Sequence, residues 1–132
     1  QWGISTVISH YDKHFSLIVT YSILSFRALP DNASPGVLDT LLCECGQIAY
    51  PAYMEKASSY LDEFSEKERK SLKWKNFDRE KALVATVVSV LKPGKTNTTS
   101  IADNNWVSEQ TQQQVPALAN FLEFLSQLLE LS

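Results

Sequence analysis

Between Asp78 and Gly94 the chain reads DREKALVATVVSVLKPG, and its middle, Ala82 to Leu91, is almost wholly apolar. Such a run is either a buried strand or a buried helix. Val84, Thr86, Val87, Val88 and Val90 are β-branched and would suit a strand. Asp78 as a candidate N-cap, the length of the run and the stop at Pro93-Gly94 favour a helix. The pattern therefore predicts a helix over 79–92 as the central element of a core.

Downstream, PALANFLEFLSQLLELS (Pro116 to Ser132) repeats apolar residues at Leu118, Phe121, Leu122, Leu125, Leu128 and Leu129. Asn120, Glu123, Gln127 and Glu130 fall on the opposite side, which is the period of an amphipathic helix over 116–131. Pro116 suits the first turn, where its missing N–H is not needed. Phe124 and Leu131 widen the apolar arc beyond one stripe, so this helix is expected to pack on two sides.

Upstream, a long first helix is expected from about Ile4 to Leu29, and a second from Ser34-Pro35 to about Tyr50. Pro51 ends the second, and AYMEKASSYLDEF continues as a third. Ser65 with Glu68 forms a capping box that opens a short basic helix. GKTNTTSIADNN reads as the clearest loop, followed by a short polar helix, WVSEQTQQQ, with Trp106 docked on the core. These elements sum to an all-α fold: a single-domain bundle of five to seven helices over residues 1–132, centred on the first, the 79–92 and the 116–131 helices. No internal repeat marks a helical solenoid.

Composition agrees. Of 132 residues, 44% are hydrophobic and 20% charged, the proportions of a globular domain rather than a disordered chain. Only 4 glycines and 5 prolines are present, too few for a turn-dense β-sandwich. The net charge of −3 gives no global attraction to nucleic acid or anionic membranes. The most apolar run, Phe15 to Phe26, is too short and too rich in Ser and Thr to span a bilayer, so no membrane partner is expected. Starting on Gln1 and ending on an apolar helix, the chain reads as a domain excised from a larger protein.

Both cysteines, Cys43 and Cys45, lie two residues apart, a poor geometry for a mutual disulfide. Free thiols point to an intracellular site, cytoplasmic or nuclear. Two glycosylation-type triplets, at Asn32 and Asn97, compete weakly with that reading. His10 and His14, at i and i+4, could join the cysteines as zinc ligands. On a helix, however, Cys45 belongs to the apolar face of Leu38, Leu41, Leu42, Ile48 and Ala49, and Cys43 lies about 200° away. No metal site and no cofactor are therefore expected.

Serine-nucleophile motifs, phosphate-binding glycine loops and HExxH are absent, so no enzyme activity and no small-molecule substrate are expected. Glu55, Asp62 and Glu63 have no evident cleft partner. Two LxxLL sequences, Leu38 to Leu42 and Leu125 to Leu129, fall within stripes assigned to the core.

Two surfaces remain. The terminal helix offers Phe121, Phe124, Leu128 and Leu131 as a protein-binding face, which suits a non-catalytic protein–protein interaction or self-association domain with a protein partner or a homo-oligomer. The alternative is RNA or other nucleic-acid binding through Lys67 to Lys81. That stretch holds seven of the twelve basic residues (Lys67, Arg69, Lys70, Lys73, Lys75, Arg79 and Lys81) against three acidic ones. Trp74 and Phe77 are interleaved with them, as in surfaces that grip phosphates and stack bases. The competing reading is a solvated helix face whose aromatics cover the edge of the core.

Overall fold

A computed structural model describes Gly36 and residues 38–131, Leu131 by its backbone alone. Among the described residues there are seven helices and no strand. In chain order they are α1 (Leu38–Ala49), α2 (Pro51–Asp62), α3 (Glu66–Ser71), α4 (Asp78–Leu91), α5 (Asn97–Asp103), α6 (Glu109–Gln114) and α7 (Pro116–Leu131). The fold is all-α. The expected first helix, the Ser34-Pro35 start of the second, His10, His14 and the Asn32 triplet lie outside the described residues.

The β-branched run resolves as helix. Leu83, Val84, Val87 and Val88 of α4 are buried at the i, i+1, i+4, i+5 spacing of one helical face, which packs against α1, α2 and α5. Thr86 donates its hydroxyl to the Ala82 carbonyl 2.8 Å away, the local bond that lets threonine sit inside a helix. A second hub went unforeseen. α1 packs not only on α4 but on α2, α6 and α7, burying Leu41, Leu42, Cys45 and Gly46. Where α1 meets α7, the apolar seam of Leu41, Cys45, Leu118 and Phe121 closes to about 10 Å³, hardly the space of one water.

Gly46 is required by a close approach. Met54 of α2 and Trp106, both fully buried, press on it so closely that a Cβ would stand 2.7 Å from the Met54 Sδ and the Trp106 Cζ3. Trp106 thus docks on the core as expected. The Tyr50 ring packs on it at 5.5 Å, and the Tyr50 hydroxyl accepts from the Asn105 N–H at 2.7 Å, pinning the following loop. Tyr50 breaks the chain direction between α1 and α2, with Pro51 in the first turn of α2.

Two local expectations need correction. GKTNTTSIADNN is not a loop throughout: Asn97–Asp103 is α5. The Thr96 side chain caps it by accepting from the Thr99 N–H, and burial of Ser100 and Ile101 supplies the tertiary contact that polar composition concealed. The Ser100 hydroxyl donates to the Val88 carbonyl at 2.8 Å, fastening α5 to α4. Second, Asp78 is not the N-cap of α4. Phe77 holds that position in the left-handed region (φ 67°), while the Asp78 carboxylate reaches back to accept from the Lys75 N–H at 2.7 Å. A capping box that pairs Ser108 with Thr111 opens α6, and Thr111 is fully buried.

Candidate interaction surfaces

The box expected at Ser65 and Glu68 is present. The Glu68 carboxylate accepts from the Ser65 N–H at 2.7 Å, and the Ser65 hydroxyl accepts from the Glu68 N–H at 3.3 Å. Donation to the Glu68 carboxylate from the Ser65 hydroxyl above all, and then from the Ser65 N–H, each at 2.7 Å, holds that carboxyl below its ordinary range. α3 buries none of its residues, so its ends matter more than its faces. Its C-terminus closes as a Schellman motif: the Trp74 N–H donates to the Arg69 carbonyl and the Lys73 N–H to the Lys70 carbonyl, both at 3.0 Å. Lys73 occupies the left-handed position (φ 60°) that glycine usually fills. Stacking of the Arg69 guanidinium over the Trp74 ring, 5.5 Å from its centroid, is the side-chain contact that completes the motif.

Those bonds divide the basic stretch in two. Arg69 donates to the Leu61 carbonyl at 2.7 Å and approaches Asp62 at 3.4 Å. Arg79 donates to Asp62 and to the Ser58 hydroxyl, both at 2.8 Å. Asp62, which lacked an evident partner in sequence, is the acceptor that joins α2, α3 and α4. Hydrogen bonding from Arg79 above all, then from Arg69, holds its carboxyl below the usual range. Lys81 pairs with Asp78 at 3.4 Å. Trp74 is half-buried against the core, with Arg69 on its face, so it is not offered for stacking on a base; Phe77 is half-buried too. What remains exposed and outside any ion pair among the described residues is Lys67, Lys70, Lys73 and Lys75.

The expected docking face on the terminal helix loses its centre. Phe121 is only 2% exposed and lies in the core with Leu118, Leu122 and Leu125. Phe124 packs against that core and is half-buried, as is Leu128, while the Leu131 side chain lies outside the description. Of the LxxLL leucines, Leu41, Leu42 and Leu125 are buried and Leu38 packs against the core, while Leu128 and Leu129 are half-buried.

The cysteines diverge as helical geometry requires. Cys45 is sealed in the core, while Cys43 sits at its margin and donates its thiol to the Glu80 carbonyl. Burial, reinforced at Cys43 by Glu80 and Asp39, pushes both thiols up to about 12. Both are therefore neutral thiols at physiological pH, poor as metal ligands or nucleophiles. Among the described residues no three His, Cys, Asp or Glu side chains converge on a metal-sized site. No helix there is long and apolar enough to cross a membrane.

The surface that sequence reading missed lies between α2 and α4. Tyr53 and Tyr60 stand seven residues apart on the outer face of α2, hence about 10 Å apart along one side of the helix. They are 43% and 53% exposed, and Val90 of α4 opposite them is 57% exposed. With Ala57, Thr86 and Val87 as floor, they enclose a groove of about 290 Å³ whose one charged lining residue is Lys56. Tyr60 is braced by the Phe64 ring at 5.4 Å, and Tyr53 by Tyr50 at 6.4 Å. The i, i+7 spacing of two tyrosines in YMEKASSY was a legible trace of this face. It was obscured because Met54, Ala57 and Leu61 carry the stronger stripe of the same helix.

Comparison with curated proteins and with solved structures returns no match. A family profile, by contrast, spans nearly the whole chain, residues 9–130, and the chain belongs to that family, described as "Protein of unknown function (DUF3226)".

Proposed function

We propose that this chain is a non-catalytic protein-interaction domain that receives an acidic amphipathic helix of a partner protein in the α2–α4 groove. The observation that carries this reading is the pair of braced, half-exposed tyrosines facing Val90 across an apolar floor. Rigid aromatics with an apolar body and a polar tip are the side chains that dominate protein interfaces. At about 290 Å³ the groove lies at the lower limit of small-molecule pockets, and its open shape suits a few side chains of a docked helix.

The chemistry of the partner follows from the lining. Tyr53 and Tyr60, two helical turns apart, match apolar residues at i and i+7 of the incoming helix. Lys56 lies between them in sequence and calls for Asp or Glu at i+3 or i+4. The tyrosine hydroxyls remain available at the rim for hydrogen bonds to that helix.

The test is a titration of the full chain against synthetic helical peptides carrying Leu at i and i+7 with Glu between them. Fluorescence anisotropy is expected to give saturable binding that Tyr60→Ser weakens roughly 30-fold, the scale of an aromatic anchor. Absence of saturable binding, or binding indifferent to Tyr53→Ser, Tyr60→Ser and Val90→Ser, would overturn the proposal. A peptide-free shift to a dimer abolished by Tyr60→Ser would replace the partner helix with a second copy of this chain.

A further inference from the structure

The turn that follows α3 shows its most apolar residue to solvent. Leu72 is 62% exposed, more than any other large hydrophobic residue among those described. Lys70, Lys73 and Lys75 flank it in the chain, and Lys67 lies one turn before Lys70 on α3; all four lysines are exposed. The turn is also held stiff. Backbone bonds from Leu72, Lys73 and Trp74 back to α3, with Arg69 stacked on Trp74, fix its shape before any partner arrives. Within it Lys73 adopts the left-handed backbone (φ 60°) that glycine would accept with less strain. A leucine left in water and a lysine held in the left-handed region thus meet at one tip, and backbone strain of this kind gathers at functional positions.

We infer that this tip, Lys67 to Lys75, docks end-on to an anionic lipid bilayer, with Leu72 entering the headgroup–acyl boundary and the four lysines meeting lipid phosphates and carboxylates. Both parts of the tip are then used. The ammonium groups gain from the negative surface potential of the leaflet. The leucine leaves water for an apolar layer lying just beneath those charges, and the lysine stems can lie along that boundary with their charged ends in the headgroups. A nucleic acid would satisfy the lysines but offers Leu72 nothing, and Trp74, the ring that could stack on a base, is packed against the core beneath Arg69.

Acidic neighbours limit the contact to the tip. Glu68 is engaged by Ser65, Asp62 by Arg79 and Arg69, and Asp78 by the Lys75 N–H and by Lys81. Glu66 sits in the first turn of α3, beside Lys67 and at the end of the helix away from Leu72. With a whole-chain charge of −3, the rest of the molecule is repelled by the surface that the tip approaches. A single tip of this size gives weak, reversible, salt-sensitive attachment, a second contact beside whatever the α2–α4 groove holds.

Co-sedimentation of the full chain with vesicles tests this directly. The chain is expected to pellet with phosphatidylcholine–phosphatidylserine vesicles, but not with phosphatidylcholine alone, and to be released by salt. Lys73→Gly relieves the backbone and keeps the fold, yet should weaken binding roughly fivefold through the lost charge. Leu72→Ser should weaken it roughly tenfold, whereas Lys95→Glu, on a loop elsewhere, should leave it unchanged. Three results would overturn the inference: no pelleting with the anionic vesicles, pelleting indifferent to Leu72→Ser, or stronger retention by a single-stranded RNA oligonucleotide that Leu72→Ser leaves intact. Circular dichroism of each variant separates loss of binding from loss of fold.

Discussion

Replacing Gly46 with alanine adds one methyl group at the point where three elements of the core meet. The new Cβ would stand 2.7 Å from both the Met54 Sδ and the Trp106 Cζ3, about 0.7 Å inside the start of ordinary contact at 3.4 Å. Alanine is the better helix former by about 1 kcal/mol, so a free site in mid-α1 would be stabilised. Overpacking a closed core costs about 1–3 kcal/mol. The balance turns on whether the neighbours can yield. Met54 has rotatable bonds but is fully buried, and the Trp106 ring is rigid, fully buried and backed by Tyr50. Two simultaneous contacts place the cost in the upper half of that range, leaving a net loss of about 1–2 kcal/mol. Urea unfolding should show a lower midpoint with an unchanged slope. In the Met54→Ala background the Gly46→Ala cost should shrink, because the smaller side chain vacates the space. A Gly46→Ala protein as stable as the parent would refute the packing described for Trp106 and Met54.

Elsewhere the expected effects differ in sign. Lys73→Gly should raise stability by about 0.5–1 kcal/mol: relief of about 1–2 kcal/mol of left-handed strain outweighs the added chain entropy of glycine. Thermal unfolding reads this as a higher midpoint. Asp62 has a folded-state pKa below its unfolded value, so its contribution is complete above about pH 4 and is lost as pH falls through the folded value. An Asp62→Asn variant should therefore show a shallower acid limb in a pH series of urea midpoints; an unchanged limb would remove Asp62 from that role. With both thiols pushed up to about 12, Cys43 and Cys45 should resist aromatic disulfide reagents in the native state and react when urea unfolds the chain. Rapid native-state labelling of Cys45 would contradict its place in the core.

Much of the architecture was written in local pattern, because a helix with one buried face repeats that face in its own sequence. The 3.6-residue period of Leu118, Phe121, Leu122 and Leu125, the Ser65–Glu68 box and the break at Pro51 each need only a few neighbouring residues to be read. α5 escaped because its stability is tertiary: Asn97-Thr98-Thr99 is loop-like until Ser100 and Ile101 find α4. The left-handed Lys73 and Phe77 escaped for the same reason, since non-glycine residues in that region have no local signature.

The interaction surfaces were less legible than the fold. Charge counting marked 67–81 as unusual, but could not say that Asp62, seven residues before Arg69 and seventeen before Arg79, would bind both arginines. Nor could it say that Trp74 would turn inward. Phe121 shows the reverse error: an apolar arc wider than one stripe looked like a docking face, whereas α1 and α7 together enclose it. The α2–α4 groove depends on two helices meeting, so no window of sequence contains it.

The reciprocal charge swap across that groove bears most directly on the proposed function. The full chain and its Lys56→Glu variant would each be titrated with two helical peptides that differ only in Glu or Lys between their leucines. The account expects the parent to prefer the Glu peptide and the variant to prefer the Lys peptide, each preference roughly tenfold once attraction is replaced by repulsion. Equal affinities in all four pairings would contradict it, because Lys56 would then face no partner carboxylate.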